Sequence, residues 1–299
     1  MIDSDEGMNN FLNLEASYCQ RTPSRVVVIP APYERSTSYL KGTEMGPQAI
    51  IEASHQVELF DSELGSEPYR RGIYTEDTCS YSGKSDEEAL KITEDCVARA
   101  LAEKKIPVVL GGEHTITLAP LRALSRVMSP RECSLLHFDA HSDMRDAYEG
   151  NPLSHASVIR RAHELFPHSY SIGVRAQGID EREYIQAHQG TVGVLYDHER
   201  ARDGISVEKA LAYLPGNSLY LTIDLDYFAP EIMPAVGTPV PGGGSWYETL
   251  HFLRRILHHR KLIGLDLVEL RPSPGHEASA FFAAQLIYKV LSYALADEL

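Results

Sequence analysis

The sequence predicts an α/β fold in which a mostly parallel sheet is covered by helices on both faces. Short apolar segments alternate with amphipathic segments along the whole chain, which is the pattern of strand–helix–strand units. Several apolar segments lack polar–apolar alternation, as expected for strands that are buried on both faces. No linker-like tract or shift in composition divides the 299 residues. We therefore expect one domain over residues 1–299, with an N-terminal extension at residues 1–24.

Seven apolar segments are predicted to be strands, because each is too short for a typical helix and most are rich in Val, Ile, Leu or Tyr. They comprise residues 26–30, 107–110, 134–138, 171–174, 192–196, 219–225 and 262–268.

Four segments are predicted to be helices. The clearest is 85–104, because Ser85 and Glu88 have the spacing of a capping box and apolar residues then recur on one face. Gly46-Pro47 predicts a helix start with proline in the first turn. Residues 250–260 and 277–299 are the other two. Within the last, residues 278–296 contain polar side chains and helically spaced bulky ones, which favours a buried helix over a membrane span.

Composition excludes some function classes. The formal net charge is -14, from 42 acidic and 28 basic side chains, which disfavours nucleic acid and anionic membrane as partners. The same charge is compatible with a cationic substrate or with metal ions. The four cysteines form no CxxC pair, and residues 1–6 are acidic where a signal peptide would be basic. We therefore predict a reducing, cytoplasmic location.

Potential metal ligands stand where three predicted strands end, and ligands bind beyond the carboxyl ends of such strands. Side chains at positions i and i+2 of extended backbone point the same way, so those within each string can converge. The six candidates are His114, Asp139, His141, Asp143, Asp224 and Asp226. Their four carboxylates would be balanced by two divalent cations. A carboxylate–imidazole set without thiolate favours Mn²⁺, with Zn²⁺, Fe²⁺ or Co²⁺ as alternatives. The glycine clusters match no nucleotide-binding motif.

The strings 111–114 (GGEH), 139–143 (DAHSD) and 224–226 (DLD) together resemble the three signatures of the ureohydrolases, the arginase–agmatinase superfamily of binuclear manganese enzymes. The third signature continues through Pro230, then 237–239 (GTP) and 241–243 (PGG). The resemblance runs from residue 30 to residue 269. It implies a single three-layer α/β/α domain with an eight-stranded parallel sheet, two Mn²⁺ ions, and a homo-oligomer of trimeric or hexameric form.

The same resemblance implies roles for individual residues. Asp139 and Asp224 would bridge the two ions; His114 and Asp143 would complete one ion's ligands, and His141 and Asp226 the other's. Asp143 would also orient the attacking water. Glu269 would hold the substrate's guanidinium, His155 would bind substrate and protonate the departing amine, and Thr238 would line the substrate site. His137 is interpreted as a support for a ligand rather than a ligand.

Within the superfamily, residues 144–161 and 171–175 look more like agmatinase than arginase, and the Asn-containing substrate loop typical of arginases is absent. The predicted reaction is therefore hydrolysis of a guanidino compound to urea and an amine, with agmatine, giving putrescine, as the first substrate. Arginine, guanidinobutyrate, formimidoylglutamate and an aminopropylated agmatine are alternatives. Arg145 is a candidate for binding an α-carboxylate. Two departures from the family pattern are Ala229, where most members have aspartate, and Ala235-Val236, in place of Gly-Thr.

Two other classes remain as alternatives. A dimetal phosphoesterase could use a similar ligand set, but it would favour Arg or Lys where this chain has Glu269. A non-catalytic binding protein would be expected to lose a ligand, and all six are present.

Overall fold

Eight strands form one sheet in a computed structural model that describes residues 10–296. The strands are β1 (Val26–Ala31), β2 (Ile73–Thr75), β3 (Ile106–Gly111), β4 (Cys133–Phe138), β5 (Ser169–Val174), β6 (Val192–Tyr196), β7 (Ser218–Asp224) and β8 (Lys261–Val268). Their order is β2-β1-β3-β8-β7-β4-β5-β6, and each neighbouring pair is parallel. The predicted fold class is confirmed.

All seven predicted strands are present, with ends that move by one or two residues. The strand that the sequence did not predict is β2, which has three residues and lies at one edge of the sheet. A segment of that length carries too little apolar periodicity to be recognised. It pairs with β1 because Gly72, with φ 78°, turns the chain into register before Ile73.

Helices cover both faces of the sheet. They are α1 (Gly46–Ser54), α2 (Asp86–Ala102), α3 (Leu118–Ser125), α4 (Val158–Leu165), α5 (Ile179–Ala187), α6 (Asp197–Asp203), α7 (Val207–Tyr213), α8 (Trp246–His259) and α9 (Glu277–Ala294). The four predicted helices are α1, α2, α8 and α9. Helix α8 begins four residues earlier than predicted. Helix α9 ends at Ala294, and residues 297–299 lie outside the described residues.

Side chains that alternate along each strand separate into two apolar layers. On β1, Val26 and Val28 belong to one cluster, together with residues of α1, α8 and α9. Val27 and Ile29 belong to the other, with residues of α2, α3 and α4. This alternation follows from the two-residue period of a strand. It accounts for the lack of polar–apolar alternation in strands covered on both sides.

The described part of the expected N-terminal extension, residues 10–24, packs onto the domain. Phe11, Leu12 and Leu14 are buried in the same cluster as α1. The Leu12 amide donates a hydrogen bond to the Ser54 hydroxyl at 2.7 Å. Residues 1–9, which include the acidic start used to predict location, lie outside the described residues. Among residues 10–296, no helix is long and apolar enough to cross a membrane.

The strand order brings the carboxyl ends of β3, β8, β7 and β4 side by side. The segments that follow these four strands begin at Gly112, Glu269, Leu225 and Asp139. Residues that are far apart in sequence therefore meet at one edge of the sheet, as expected for ligand sites in parallel α/β folds.

Candidate active site

Three of the predicted metal ligands surround the imidazole of His114, which is itself a fourth. Its Nδ1 lies 3.1 Å from Asp139 Oδ2, 3.1 Å from Asp143 Oδ2 and 3.4 Å from Asp224 Oδ2. His114 and Asp139 are almost completely buried, and Asp143 and Asp224 are buried as well. One nitrogen and three carboxylate oxygens thus converge on a single point.

The remaining ligands form a second group beside the first. His141 Nδ1 lies 3.0 Å from Asp226 Oδ2 and 3.4 Å from Asp139 Oδ1. The two oxygens of Asp139 therefore face the two groups, as the predicted bridging position requires. Asp224 is placed differently: its Oδ2 faces His114, while its Oδ1 accepts a hydrogen bond from the Asp226 amide at 2.8 Å.

The hydrogen bonds around His114 fit a metal cation. Its Nε2 lies 2.9 Å from the Thr222 hydroxyl, and that hydroxyl donates to Asp266 Oδ1 at 2.6 Å. Thr222 has only one proton to give, so His114 Nε2 donates to it, and Nδ1 carries a lone pair in the neutral ring. This buried Nδ1 has no hydrogen-bond partner. A lone pair that faces three carboxylates could bind a cation, with the orientation of the ring fixed from behind by Thr222.

The charges of the group also favour a cation at this point. Burial, and then the neighbouring Asp226 and Asp139, raise the pKa of Asp224 well above its ordinary value. Burial, and then Asp139, raise the pKa of Asp143 to about 7. Carboxylates packed this closely in a buried site are costly without compensating positive charge. Ligand atoms of Asp139, His141 and Asp226 lie within 4.8 Å of one another, which suits a shared ion.

His137 supports Asp139 rather than completing the ligand set. Its Nε2 is 2.8 Å from Asp139 Oδ2, and its Nδ1 is 3.0 Å from the Ser171 hydroxyl. Both ring nitrogens are therefore occupied. Burial lowers the pKa of this ring, so that its neutral form holds Asp139 from the strand side.

Asp143 lies in a strained part of the chain. Its φ is 51°, a left-handed conformation that is uncommon outside glycine and costs energy for a side chain with a Cβ. Its carbonyl accepts hydrogen bonds from the amides of Ile159 and Arg160, at 3.0 and 3.2 Å, in the first turn of α4. Helix α4 thus fixes the backbone that turns the Asp143 carboxylate back toward His114.

Glu269 is also strained, with φ 66°. Its amide donates to the Gly112 carbonyl, and its Oε1 accepts from the His114 amide, both at 2.8 Å. Its Oε2 lies toward Gly237, where an added Cβ would come within 3.7 Å. Burial, and then Glu113, raise the pKa of Glu269 well above its usual range. One carboxylate oxygen is held in place while the other faces the cavity.

His155 is held by Ser36, and Ser36 is held in turn by Glu113. Neither role was predicted from the sequence. The Ser36 hydroxyl is 3.0 Å from His155 Nδ1 and accepts from the His155 amide at 3.0 Å. Ser36 also lies 2.6 Å from Glu113 Oε1, and the Arg35 and Ser36 amides both donate to Glu113 Oε2. Ser36 is 77 residues from Glu113 in the sequence and 119 residues from His155, so no local pattern could have revealed these contacts. Asp266 could have been noticed, because a carboxylate inside an apolar strand needs buried partners.

The candidate residues line a two-part cavity. The inner compartment is bounded by Thr37, Ser38, His114, His141, Asp143, His155, Asp224, Asp226, Gly237, Thr238 and Glu269. It shares Ser38, His141, Asp143, His155 and Thr238 with an outer compartment of about 340 Å³, whose other walls include Arg145, Tyr148, Gln177 and Glu181. Thr238 donates to Asp226 Oδ2 at 3.2 Å. The catalytic, substrate and metal candidates other than Asp139 therefore line one cavity, and Asp139 lies 3.1 Å from His114 in its wall.

Arg145 lies in the outer compartment beside acidic partners. Its guanidinium is 3.6 Å from Glu181 and 3.9 Å from Asp180. Glu181 is buried and is itself held by the Ser142 hydroxyl and the Met144 amide, at 2.6 and 3.0 Å. The positive charge of Arg145 is thus partly neutralised, which weakens the case that it binds an α-carboxylate.

The residues at the two departures from the family pattern make backbone hydrogen bonds. The Ala229 amide donates to the Gly244 carbonyl at 3.2 Å, and the Ala235 carbonyl accepts from the Arg271 amide at 2.8 Å. Ala235 and Val236 are buried. These loops are therefore shaped by main-chain hydrogen bonds and packing, without a carboxylate at position 229.

The chain is similar to known proteins over most of its length. The family model described as the arginase family matches residues 24–292. The chain is 41% identical over 294 residues to an N(1)-aminopropylagmatine ureohydrolase of Synechocystis sp., covering 96% of this chain and 94% of that protein. It is 35% identical to a Thermus thermophilus protein of the same name, with 90% and 89% covered. The structure of an agmatine ureohydrolase of Thermoplasma volcanium superposes with TM-score 0.84 at 27% identity, covering 95% and 94%.

Proposed function

The chain belongs to the arginase family, and from that premise we propose that it is a ureohydrolase that acts on N(1)-aminopropylagmatine and releases urea and the triamine spermidine. The observation that carries the reaction is the cavity itself, where five potential metal ligands, Glu269 and His155 form the lining and the sixth ligand, Asp139, contacts His114 and His141. The choice of substrate is supported by the relatives at 41% and 35% identity that carry this name. It is also supported by the outer compartment, which gives room for a chain beyond the guanidino group.

Agmatine, the substrate predicted first from the sequence, is the second candidate. It is favoured by the structural likeness to the agmatine ureohydrolase of Thermoplasma volcanium. Both substrates present the same guanidinium to the inner compartment and differ only in the length and charge of the tail. The family match favours either of them over a dimetal phosphoesterase.

Glu269 would bind and orient the guanidinium. Its Oε2 faces the inner compartment beside Gly237, and its Oε1 is fixed by the His114 amide. A carboxylate held in this way can form charge-assisted hydrogen bonds with the planar cation, which are stronger than neutral ones. The contact would position the guanidinium carbon next to the two ligand groups.

His114, Asp139, His141, Asp143, Asp224 and Asp226 would hold two divalent cations, for which we propose Mn²⁺ because the ligands are carboxylates and imidazoles. When bound, such ions lower the pKa of water and so supply a strong nucleophile near neutral pH. The resonance-stabilised guanidinium carbon, a poor electrophile, needs this nucleophile.

The remaining residues would handle orientation and proton transfer. Asp143, at the boundary of the two compartments, would accept a hydrogen bond from the attacking water and fix its direction. Ser36 occupies Nδ1 of His155, which leaves Nε2 for the amine that departs. Burial lowers the pKa of His155 below its usual value. Once protonated, the ring therefore gives up its proton readily. Thr238 would contact the substrate where the compartments join.

The direct test is urea release from a panel of guanidino compounds by the Mn²⁺-loaded protein. We expect kcat/KM to be highest for N(1)-aminopropylagmatine, lower for agmatine, and negligible for arginine. Replacing Glu269 with Gln should lower kcat/KM about 10- to 100-fold, the usual effect of losing a charged hydrogen bond. Glu94→Gln, which changes a buried carboxylate on α2 outside the cavity, is the matched control and should leave the rate unchanged.

Each outcome of the panel has a definite meaning. A preference for agmatine would keep the reaction and replace the substrate. An absence of urea from every compound, with two metal ions still bound, would refute the proposed reaction. The predicted cytoplasmic location and homo-oligomeric state remain predictions that this assay does not address.

A further inference from the structure

A buried carboxylate lies behind His155, on the far side of Ser36. It belongs to Glu113, which is completely buried in the turn after β3. Its Oε1 accepts hydrogen bonds from the hydroxyls of Ser36 and Thr115, each at 2.6 Å. Its Oε2 accepts hydrogen bonds from the amides of Arg35 and Ser36. These donors suit an ionised carboxylate, which can only accept hydrogen bonds.

Ser36 joins this carboxylate to the imidazole of His155. The Ser36 hydroxyl has one proton to donate, and the Glu113 carboxylate accepts it at 2.6 Å. The lone pairs of the Ser36 oxygen then face the His155 amide and His155 Nδ1, both at 3.0 Å. In the neutral ring, Nδ1 therefore carries the proton and Nε2 carries the lone pair. The partner of one ring nitrogen sets the tautomer of a histidine in this way.

We propose that Glu113, acting through Ser36, is a positioning residue that holds His155 in the Nδ1–H tautomer. The inference rests on the proposed ureohydrolase function, in which Nε2 of His155 takes up a proton and passes it to the departing amine. Nε2 must then be an acceptor first and a donor afterwards, while Nδ1–H stays bonded to Ser36. The charge of Glu113 also favours the charged ring, against the larger effect of burial, which lowers the pKa of His155.

A purely structural role for Glu113, in which it only fastens the loop at residues 35–37, can be separated from this one. Oε2 faces the two backbone amides, whereas Oε1 faces the Ser36 hydroxyl. In Glu113→Gln, the amides still need an acceptor, so the side-chain carbonyl would take the place of Oε2 and the NH₂ group would face Ser36. That group would donate to the Ser36 oxygen, and the Ser36 proton would turn toward His155 Nδ1. The ring proton would then move to Nε2.

The test is the tautomer of His155, read from ¹H–¹⁵N correlation spectra of the full-length protein labelled with ¹⁵N-histidine. Zn²⁺, which the same ligand types bind, replaces paramagnetic Mn²⁺. The spectra are recorded at about pH 8, where the lowered pKa keeps the ring neutral, and His155→Gln identifies the signal. We expect Nδ1–H in the parent protein and Nε2–H in Glu113→Gln. An Nε2–H ring in the parent, or an Nδ1–H ring retained in folded Glu113→Gln, would overturn the proposal.

Ser36→Ala keeps the proposal testable if Glu113→Gln does not fold. It removes the hydroxyl between carboxylate and ring, while Glu113 keeps both amides and Thr115 as donors. We expect a mixture of tautomers and a kcat that is about 10- to 100-fold lower, with a smaller change in KM. A ring that stays entirely Nδ1–H in Ser36→Ala would overturn the proposal.

Thr115→Val is the matched control for both variants. It removes the other 2.6 Å hydroxyl bond to Glu113 Oε1 and leaves the Ser36–His155 pair in place. The ring should therefore remain Nδ1–H. A change of tautomer in this control as large as that in Ser36→Ala would show a general structural effect and overturn the proposal.

The spectra need no turnover, so this inference and the proposed reaction fail separately. An unexpected tautomer in a protein that releases urea would overturn the role of Glu113 alone. The expected tautomers in a protein that releases no urea from any guanidino compound would refute the proposed reaction and still support the arrangement of Glu113, Ser36 and His155.

Discussion

At the scale of single residues, the site depends on side chains whose backbones adopt unusual conformations. Asp143 and Glu269 both have positive φ, and each is held there by hydrogen bonds to another segment. Such strain persists only where the surrounding structure over-determines it. Here the strain places the Asp143 carboxylate beside the His114 ring and the Glu269 carboxylate at the His114 amide.

His155 provides the first prediction at this scale. If it donates a proton to the departing amine, His155→Gln should lower kcat by a factor of about 10² to 10⁴, with a smaller change in KM. Steady-state urea release gives both constants. His163→Gln is the matched control, because His163 is another half-buried ring, in α4, bonded to Tyr184 and Thr191. An equal loss of kcat in both variants would indicate a structural effect and contradict the assigned role.

Residue identity and position after a strand predicted the six ligand candidates, but the expected extended backbone is not what brings them together. Asp226 lies in a 3-10 turn at Leu225–Tyr227, and Asp143 has φ 51°. The support for these residues was not predictable in the same way. Ser36 and Glu113 meet only through the fold, and Thr222 and Asp266 occupy neighbouring strands. Their roles follow from hydrogen bonds that no local spacing encodes.

At the scale of elements, α2 shows how a short motif fixes a helix end. Ser85 accepts from the Glu88 amide, and the Glu88 side chain accepts from the Ser85 amide. These reciprocal bonds satisfy two of the amides that a helix N-terminus leaves without partners. The hydrogen bond from Ser85 also helps to lower the pKa of Glu88.

Replacing this cap gives a stability prediction. Ser85→Ala should reduce the free energy of unfolding by about 1 kcal/mol, because the Glu88 amide loses its acceptor. Chemical denaturation followed by circular dichroism measures the change. Ser82→Ala, at an exposed position three residues earlier, should have an effect within about 0.5 kcal/mol of zero. A neutral Ser85→Ala would show that the box contributes nothing to the stability of the fold.

Element length decided which helices periodicity could predict; α1, with 9 residues, was predicted only from its Gly46-Pro47 start. Helices α2, α8 and α9 have 17, 14 and 18 residues and show several turns of periodicity. Helices α3 to α7 have 7 to 9 residues and were not identified individually. A pattern of two turns cannot be separated from a loop with a few apolar residues.

At the scale of the whole molecule, ion pairs tie the two longest C-terminal elements to the loop after α1. Glu63 accepts hydrogen bonds from Lys289 and Tyr293 on α9 and from Arg254 on α8. Burial opposes ionisation, but these partners lower the pKa of Glu63 to about 2. The pairing therefore favours the folded state while Glu63 is charged.

The pH dependence follows from this lowered pKa. A carboxyl group with a folded-state pKa below its unfolded value of about 4.5 stabilises the fold above that value, and the contribution disappears as pH falls toward about 2. Glu63→Gln should therefore lower Tm at pH 7, and the difference from the parent protein should vanish near pH 2. Glu87→Gln, which removes a more exposed pair with Arg122, should change Tm little at either pH. If the difference in Tm between Glu63→Gln and the parent protein were the same at pH 7 and at pH 2, it would contradict the lowered pKa of Glu63.

The architecture of the whole molecule was predictable because strand–helix alternation is repeated many times along the chain. The part of the site that would bind the substrate tail was not predictable. The outer compartment is built from loops and the start of α5, and their relative placement depends on the entire sheet. Arg145 illustrates this limit: its sequence context suggested an anion site, whereas Glu181 beside it neutralises part of its charge.

The central claim is that the convergent carboxylates and imidazoles form a metal centre that hydrolyses a guanidino compound. The most direct measurement is metal content and urea release on the same samples of Mn²⁺-loaded parent protein, chelated parent protein and Asp139→Asn. The account predicts two ions per chain and rapid urea release in the first sample, with both reduced together in the other two. Normal urea release by Asp139→Asn, or by the chelated protein, would contradict it.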